Sequence, residues 1–259
     1  MARRVRGPPP VPPTVEPREL EERKTQTQEK ELPVAEVFFS VQGEGINAGT
    51  PSVFLRTYFC NLTCTWCDTK YTWLNQDAAR SDVDYHPMGA DAVFEKVMSY
   101  GCRHLVLTGG EPLLHQRTLA PVLSALKDAG VSVEVETNGT IEPTAELVRL
   151  VDCFNVSPKT SNSLVDQRLR LRRGALEAFA RSGKAWFKFV VADSRDVDEV
   201  EGLISAYGLP RDRIMLMPEG TDADAMLTRG RWLVDVCKER GLRFTPRLQI
   251  LLFGNRRGT

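Results

Sequence analysis

Cys60, Cys64 and Cys67 place three thiols within eight residues, in the run Phe59-Cys60-Asn61-Leu62-Thr63-Cys64-Thr65-Trp66-Cys67. Thiolates so close together suit a soft metal centre, yet three is one short of a closed zinc site or a fully Cys-ligated iron–sulfur site. No further Cys or His stands near them in sequence. A centre held by three ligands keeps one position open, and an open position is where chemistry happens. A zinc knuckle completed from afar could draw only on His86, His104 and His115, none paired with a second ligand at zinc-finger spacing. A thioredoxin-like pair at Cys64 and Cys67 ignores Cys60 and lacks a following helix signal. A cuboidal 4Fe–4S cluster with one iron free accounts for all three thiols. Cys102, Cys153 and Cys237 are isolated in or beside apolar runs and read as small buried hydrophobes.

The elements that must position such a centre alternate. Apolar runs at 52–59, 104–109, 131–136, 153–157, 185–192, 214–217 and 244–253 read as strands; stretches at 91–100, 119–129, 168–182, 196–207 and 223–240 read as helices. Strand–helix alternation predicts parallel strands with right-handed crossovers. About six βα units are too few for an eight-stranded barrel, so the expected fold is α/β, a partial parallel TIM-like barrel. Small polar clusters follow the strands: Thr108-Gly109-Gly110-Glu111-Pro112, Glu136-Thr137-Asn138-Gly139, Ser157-Pro158-Lys159 and Pro218-Glu219-Gly220. Parallel α/β folds carry their active sites at these strand ends, so the clusters and the cysteine loop point to one mouth.

Composition limits the setting. The 34 basic and 34 acidic side chains cancel, leaving no global field to recruit nucleic acid or an anionic membrane. No apolar run approaches the ~20 residues of a membrane span, and no apolar stretch follows the basic N-terminus as in a secretory signal. The expected location is cytoplasmic. Residues 1–33, Pro-rich and then charged, are expected to form a disordered tail ahead of a single domain at 34–259.

The Cys-x-x-x-Cys-x-x-Cys run, with Trp66 before the last cysteine, resembles the signature of radical S-adenosylmethionine (SAM) enzymes, and Gly109-Gly110-Glu111-Pro112 resembles that family's "GGEP" strand end. The resemblance implies that the open iron chelates SAM and that an electron from the cluster cleaves it to methionine and a 5′-deoxyadenosyl radical. Val41-Gln42-Gly43-Glu44-Gly45, Phe54-Leu55-Arg56, Cys67-Asp68-Thr69, Glu136-Thr137-Asn138-Gly139, Ser157-Pro158-Lys159 and the ending Leu251 to Thr259 are similar to the 7-carboxy-7-deazaguanine synthase branch. This implies ring contraction of 6-carboxy-5,6,7,8-tetrahydropterin with loss of ammonia, on the route to queuosine and related 7-deazapurines, with SAM regenerated and Mg²⁺ assisting. By the same matching, Val41, Gln42, Gly43, Glu44, Arg56, Thr108 and Thr259 would meet the pterin. Gly109, Gly110, Glu111, Ser157, Pro158, Lys159, Leu216, Met217, Pro218 and Glu219 would hold SAM, with Glu111 accepting from its ammonium, and Thr69 would bind Mg²⁺. The family also implies a homodimer and a flavodoxin- or ferredoxin-like reductant. Many relatives carry a histidine where this chain has Gln249, which cannot shuttle a proton near neutral pH. Another small radical SAM enzyme, such as a glycyl-radical activase, and a zinc- or cluster-binding regulator are the competing functions.

Overall fold

Alternate residues of the strands divide into an apolar set and a polar set, and that division shapes the molecule. The computed structural model describes residues 31–74 and 85–259. Within them one sheet contains β1 (Leu32–Val41), β2 (Pro51–Thr57), β3 (His86–Met88), β4 (His104–Gly109), β5 (Ser132–Thr137), β6 (Cys153–Val156), β7 (Ala185–Val191), β8 (Ile214–Pro218) and β9 (Arg243–Phe244). Their spatial order is β3-β1-β2-β4-β5-β6-β7-β8-β9. β1 runs antiparallel to both β2 and β3, and every neighbouring pair from β2 to β9 is parallel. The helices are α1 (Ala90–Met98), α2 (Gln116–Asp128), α3 (Ala145–Leu150), α4 (Gln167–Arg170), α5 (Arg173–Arg181), α6 (Ser194–Tyr207), α7 (Ala223–Arg240) and α8 (Leu248–Phe253).

One face of the sheet is apolar. Leu105 and Leu107 on β4, Val133 and Val135 on β5, Phe154 on β6 and Phe187 and Phe189 on β7 form a continuous core with helix residues such as Leu123, Phe179 and Leu233. Phe154 and Phe179 meet edge to face with centroids 5.3 Å apart, and truncating so buried a ring costs about 3–5 kcal/mol. The intervening residues, Thr108, Glu136, Asn155 and Lys188, line one cavity on the opposite face. Only a curled sheet brings them together. Glu44, just past β1, reaches Lys188 on β7 although the two strands share no ladder. The architecture is the expected partial barrel, with β3 and β9 as the edges of its sheet.

Four local outcomes differ from the sequence expectations. β1 begins at Leu32, a fully buried residue, so the expected tail boundary at 33 falls inside a strand; residues 1–30 of that tail lie outside the described residues. The whole β1 strand, the hairpin partner of β2, was not expected, although its Leu-Pro-Val-Ala-Glu-Val-Phe-Phe run has strand composition. The expected strand at 244–253 is two residues of β9 followed by helix α8. Pro246 ends the ladder there, and a six-residue, mostly apolar run does not by its period distinguish strand from helix. The expected helix at 168–182 is broken at Leu171 and Arg172, which are extended.

At the end of β4 the backbone runs hard against the chain leaving β2. Gly110 N–H donates to Thr57 O at 3.1 Å and Glu111 N–H to Phe59 O at 2.8 Å. Gly109 has φ +144°, and a Cβ on Gly110 would lie 2.0 Å from Phe59 O. The glycine pair is thus required by the approach of two backbones beneath the cysteine loop. Gly110→Ala is expected to cost about 1–3 kcal/mol and to lower the iron held per chain after reconstitution. Thermal melts and metal analysis check both.

Candidate active site

The cysteine loop starts from a strained residue. Phe59 takes the left-handed conformation, φ 72°, at a cost of about 1–2 kcal/mol for a residue with a Cβ. Its ring packs between Tyr58 and His115, with centroids 5.0 and 6.3 Å away. Beyond it the loop is pinned from three sides. Phe59 N–H donates to Thr72 O at 2.9 Å and Thr65 N–H to Ser163 O at 3.1 Å. Trp66 Nε1 donates to Asn162 Oδ1 at 3.0 Å, and Asn61 Nδ2 to Thr140 Oγ1 at 2.8 Å.

All six cysteines are free, and Cys60, Cys64 and Cys67 line one cavity of about 340 Å³. Their sulfurs accept N–H groups: Leu62 N to Cys60 Sγ at 3.4 Å, Asn138 Nδ2 to Cys60 Sγ at 4.0 Å, and Trp73 Nε1 to Cys67 Sγ at 3.4 Å. Burial pushes the Cys60 thiol up to about 12, partly offset by the Leu62 N–H; Cys64 is also raised by burial, against the nearby Lys159. Lys159 Nζ sits 5.2 Å from the Trp66 ring and donates to Ser157 Oγ at 3.0 Å.

Glu111 does not face the cavity. Its side chain is fully buried and accepts from Leu113 N at 3.0 Å, Thr137 Oγ1 at 2.8 Å and Asn138 N at 2.7 Å. Instead of offering a free carboxylate to a ligand, it bolts the β4 loop to the β5 loop that carries Asn138.

The polar concave face holds three charged groups of side chains. In the first, Glu44 bonds Lys188 Nζ, Arg247 Nε at 3.0 Å and Gln249 Nε2 at 2.7 Å. Burial opposes the Glu44 charge, but Lys188 and Arg247 outweigh it and hold the carboxyl far below its usual range. In the second, Glu36 accepts from Arg56 Nε at 2.6 Å, Tyr71 Oη at 2.7 Å and Arg257 Nε at 3.0 Å. Burial again opposes ionisation, and Arg56 leads the groups that hold Glu36 low.

The third group lies under the cavity floor. Glu134 accepts from Gln42 Nε2 at 2.6 Å, Asn47 Nδ2 at 2.6 Å and Asn155 Nδ2 at 2.5 Å. Burial, together with the Glu136 charge, still lifts it to about 7. Gln42 also reaches Glu136 Oε1 at 3.3 Å, while Thr108 Oγ1 donates to Glu136 Oε2 at 2.9 Å. Glu136 is thereby presented to the cavity as an oriented acceptor.

A family model described as the radical SAM superfamily matches residues 54–229. The chain is 43% identical over 230 residues to a 7-carboxy-7-deazaguanine synthase of Pyrobaculum aerophilum, covering 87% of this chain and 96% of that one. A protein of the same name from Hyperthermus butylicus is 36% identical over 234 residues, covering 89% and 96%. The chain belongs to the 7-carboxy-7-deazaguanine synthase family, within the radical SAM superfamily. A crystal structure of QueE from Escherichia coli aligns with TM-score 0.66 and 27% identity, over 83% of this chain and 93% of that chain. Radical SAM enzymes work with a 4Fe–4S cluster and SAM. The residues present fit the cluster: three free thiols share a cavity and receive the N–H groups that tune such centres.

Most residues expected at the site from the sequence do line the cavity: Val41, Gln42, Gly43, Glu44, Arg56, Thr69, Thr108, Gly109, Gly110, Ser157, Lys159, Met217, Pro218, Glu219 and Thr259. Glu111, Pro158 and Leu216 do not; Leu216 is wholly buried on β8, and Pro158 packs beside Gly139. Sequence reasoning missed Glu36, Glu134, Lys188 and Arg247. A lysine within the apolar run Ala185–Val191, or a glutamate within Ser132–Thr137, was the available signal: a charge in a strand covered on both faces needs a partner.

Glu134 generates a pH prediction. A carboxyl whose pKa rises on folding stabilises the fold fully below its ordinary 4.5, and that contribution is lost as pH climbs through about 7. Glu134→Gln is expected to lose this dependence. Between about pH 5 and about pH 8 its stability should fall less than that of the parent chain, by a difference of about 3 kcal/mol. Denaturant titrations at the two pH values measure it.

Proposed function

We propose that the chain converts 6-carboxy-5,6,7,8-tetrahydropterin to 7-carboxy-7-deazaguanine by radical ring contraction. The observation that carries this reading is the sharing of one cavity by the three thiols and an oriented set of charged side chains. The reaction removes only ammonia, so its electrons balance without a net oxidant, and SAM can be restored in each turnover. When bound, the cluster and SAM supply the 5′-deoxyadenosyl radical that starts the chemistry.

The chain's own residues bind and orient. Arg56, its Nε held by Glu36, meets the substrate carboxylate with a guanidinium already aimed. Glu136, steadied by Thr108 and Gln42, accepts from the amide and amine edge of the pterin. Phe38 and Phe54, stacked with centroids 4.9 Å apart, give the flat bicycle an apolar wall. Ser157, Lys159, Met217, Pro218 and Glu219 form the wall assigned to SAM, and Thr259 the substrate contact from the C-terminal segment. Thr69, with Oγ1 at 3.6 Å from Cys67 Sγ, is assigned to Mg²⁺, which takes few protein ligands and leaves places for substrate and water. A flavodoxin- or ferredoxin-like protein delivers the electron, and the working unit is a homodimer. No helix among the described residues is long and apolar enough to cross a membrane.

Reconstituted protein with SAM, reductant and the carboxy-tetrahydropterin is expected to form the deazaguanine acid and to lose that activity without the cluster. SAM turnover indifferent to the pterin would sink this reading. Thr69→Ala is expected to weaken Mg²⁺ activation about tenfold, the loss of one charge-assisted ligand, with SAM affinity unchanged in equilibrium binding; an unaltered metal response would remove Thr69 from the site.

A further inference from the structure

The stretch that leaves Cys67 is held locally by one turn and by Phe59 N–H, which donates to Thr72 O at 2.9 Å. Residues Lys70–Thr72 make a single 3-10 turn, closed by Thr72 N–H to Thr69 O at 2.9 Å and Trp73 N–H to Lys70 O at 3.1 Å. A lone turn of this kind is weak by itself. Yet Cys67 faces this stretch through two of its contacts, Trp73 Nε1 at 3.4 Å and Thr69 Oγ1 at 3.6 Å. Whatever holds residues 68–71 therefore sets the surroundings of that sulfur.

The holding groups come from the far end of the chain. Arg247 sends Nη2 to the Asp68 carboxylate, Nε to Glu44 Oε1 at 3.0 Å and Nη1 to Gly220 O at 2.7 Å. One guanidinium thus links the cysteine loop to the end of β1 and to the turn after β8. Arg257 lies over the Tyr71 ring, 4.2 Å from its centroid, and donates to Glu36 Oε2 at 3.0 Å. Glu36 is also where the Tyr71 hydroxyl is anchored. Asp68 is gripped from one side and Tyr71 from the other, with Thr69 between them.

We propose that Arg247 and Arg257 are positioning residues that hold the 68–71 stretch, and with it Cys67 and Thr69, against the cavity. The guanidinium spreads its donors over three nitrogens and so reaches acceptors set well apart; an ammonium at position 247 gathers its three donors on one nitrogen and cannot keep all three partners. The grip is a property of the polypeptide, and only its consequence at Cys67 rests on the cluster reading.

Hydrogen–deuterium exchange of the full chain, with and without the reconstituted cluster, tests the proposal. Asp68→Asn, Arg257→Gln and Arg247→Lys are each expected to speed exchange of the 69–74 amides about tenfold, while peptides from β5 to β7 keep their protection. Asp68 is partly exposed, so Asp68→Asn removes one grip without opening the buried Glu44 group, should the Arg247 variant fold poorly. The electron paramagnetic resonance signal of the reduced cluster should change in the same variants. Unchanged exchange at 69–74 in Asp68→Asn and Arg257→Gln would overturn the proposal. Loosening spread through the whole barrel would do so too, since it would mark a general stabilising role. Absence of pterin turnover in the parent chain bears on the proposed reaction and leaves the exchange result intact.

Discussion

A charge taken out of water inside a curled sheet must find its opposite there, and this requirement ties the sheet together across its interior. β1 and β7 are not neighbours in the sheet, and the cavity lies between them. Across the gap Glu44 meets Lys188 and Arg247, each of the three nine-tenths or more hidden from solvent. Removing one member of such a group leaves an unpaired buried charge, at a cost of about 3–5 kcal/mol. This charged seam joins the end of β1 to β7 and to the segment after β9 through the interior of the curled sheet. Because Arg247 also grips Asp68, the same seam orients the cysteine loop.

The mouth follows a second rule, contact of backbone with backbone. Gly109 and Gly110 admit the chain leaving β2, and Glu111 then ties the β4 loop to Thr137 and Asn138 on the β5 loop. Asn138 in turn reaches Cys60 and Asn61. Residues matching the "GGEP" strand end thus reach the Cys60 thiol through Asn138. Glu111 serves as internal scaffolding, whereas Glu136 lines the cavity.

The cysteine triplet, the parallel alternation and the strand-end loops were legible because each is a local pattern: spacing of thiols, period-two runs, glycine and proline after a strand. α8 was misread as strand because a run of six residues, five of them apolar, carries too little period to separate the two forms. The charged concave face was illegible for a different reason. Gln42 pairs with Glu134 across 92 residues and Arg247 with Asp68 across 179, and nothing in a single sequence says which buried charge meets which. Lys188 and Glu134 announce only that partners exist.

The left-handed Phe59 has a further meaning. Its strain is offset by aromatic packing and by hydrogen bonds from the polypeptide, so the first residue of the cysteine loop is fixed by its protein neighbours. In many small metalloproteins, capture of the metal and ordering of the chain are one event, and the affinity is spent on folding. Here hydrogen bonds to Thr72 O, Ser163 O and Thr140 Oγ1 contribute to that ordering, so a smaller share of it falls to the cluster.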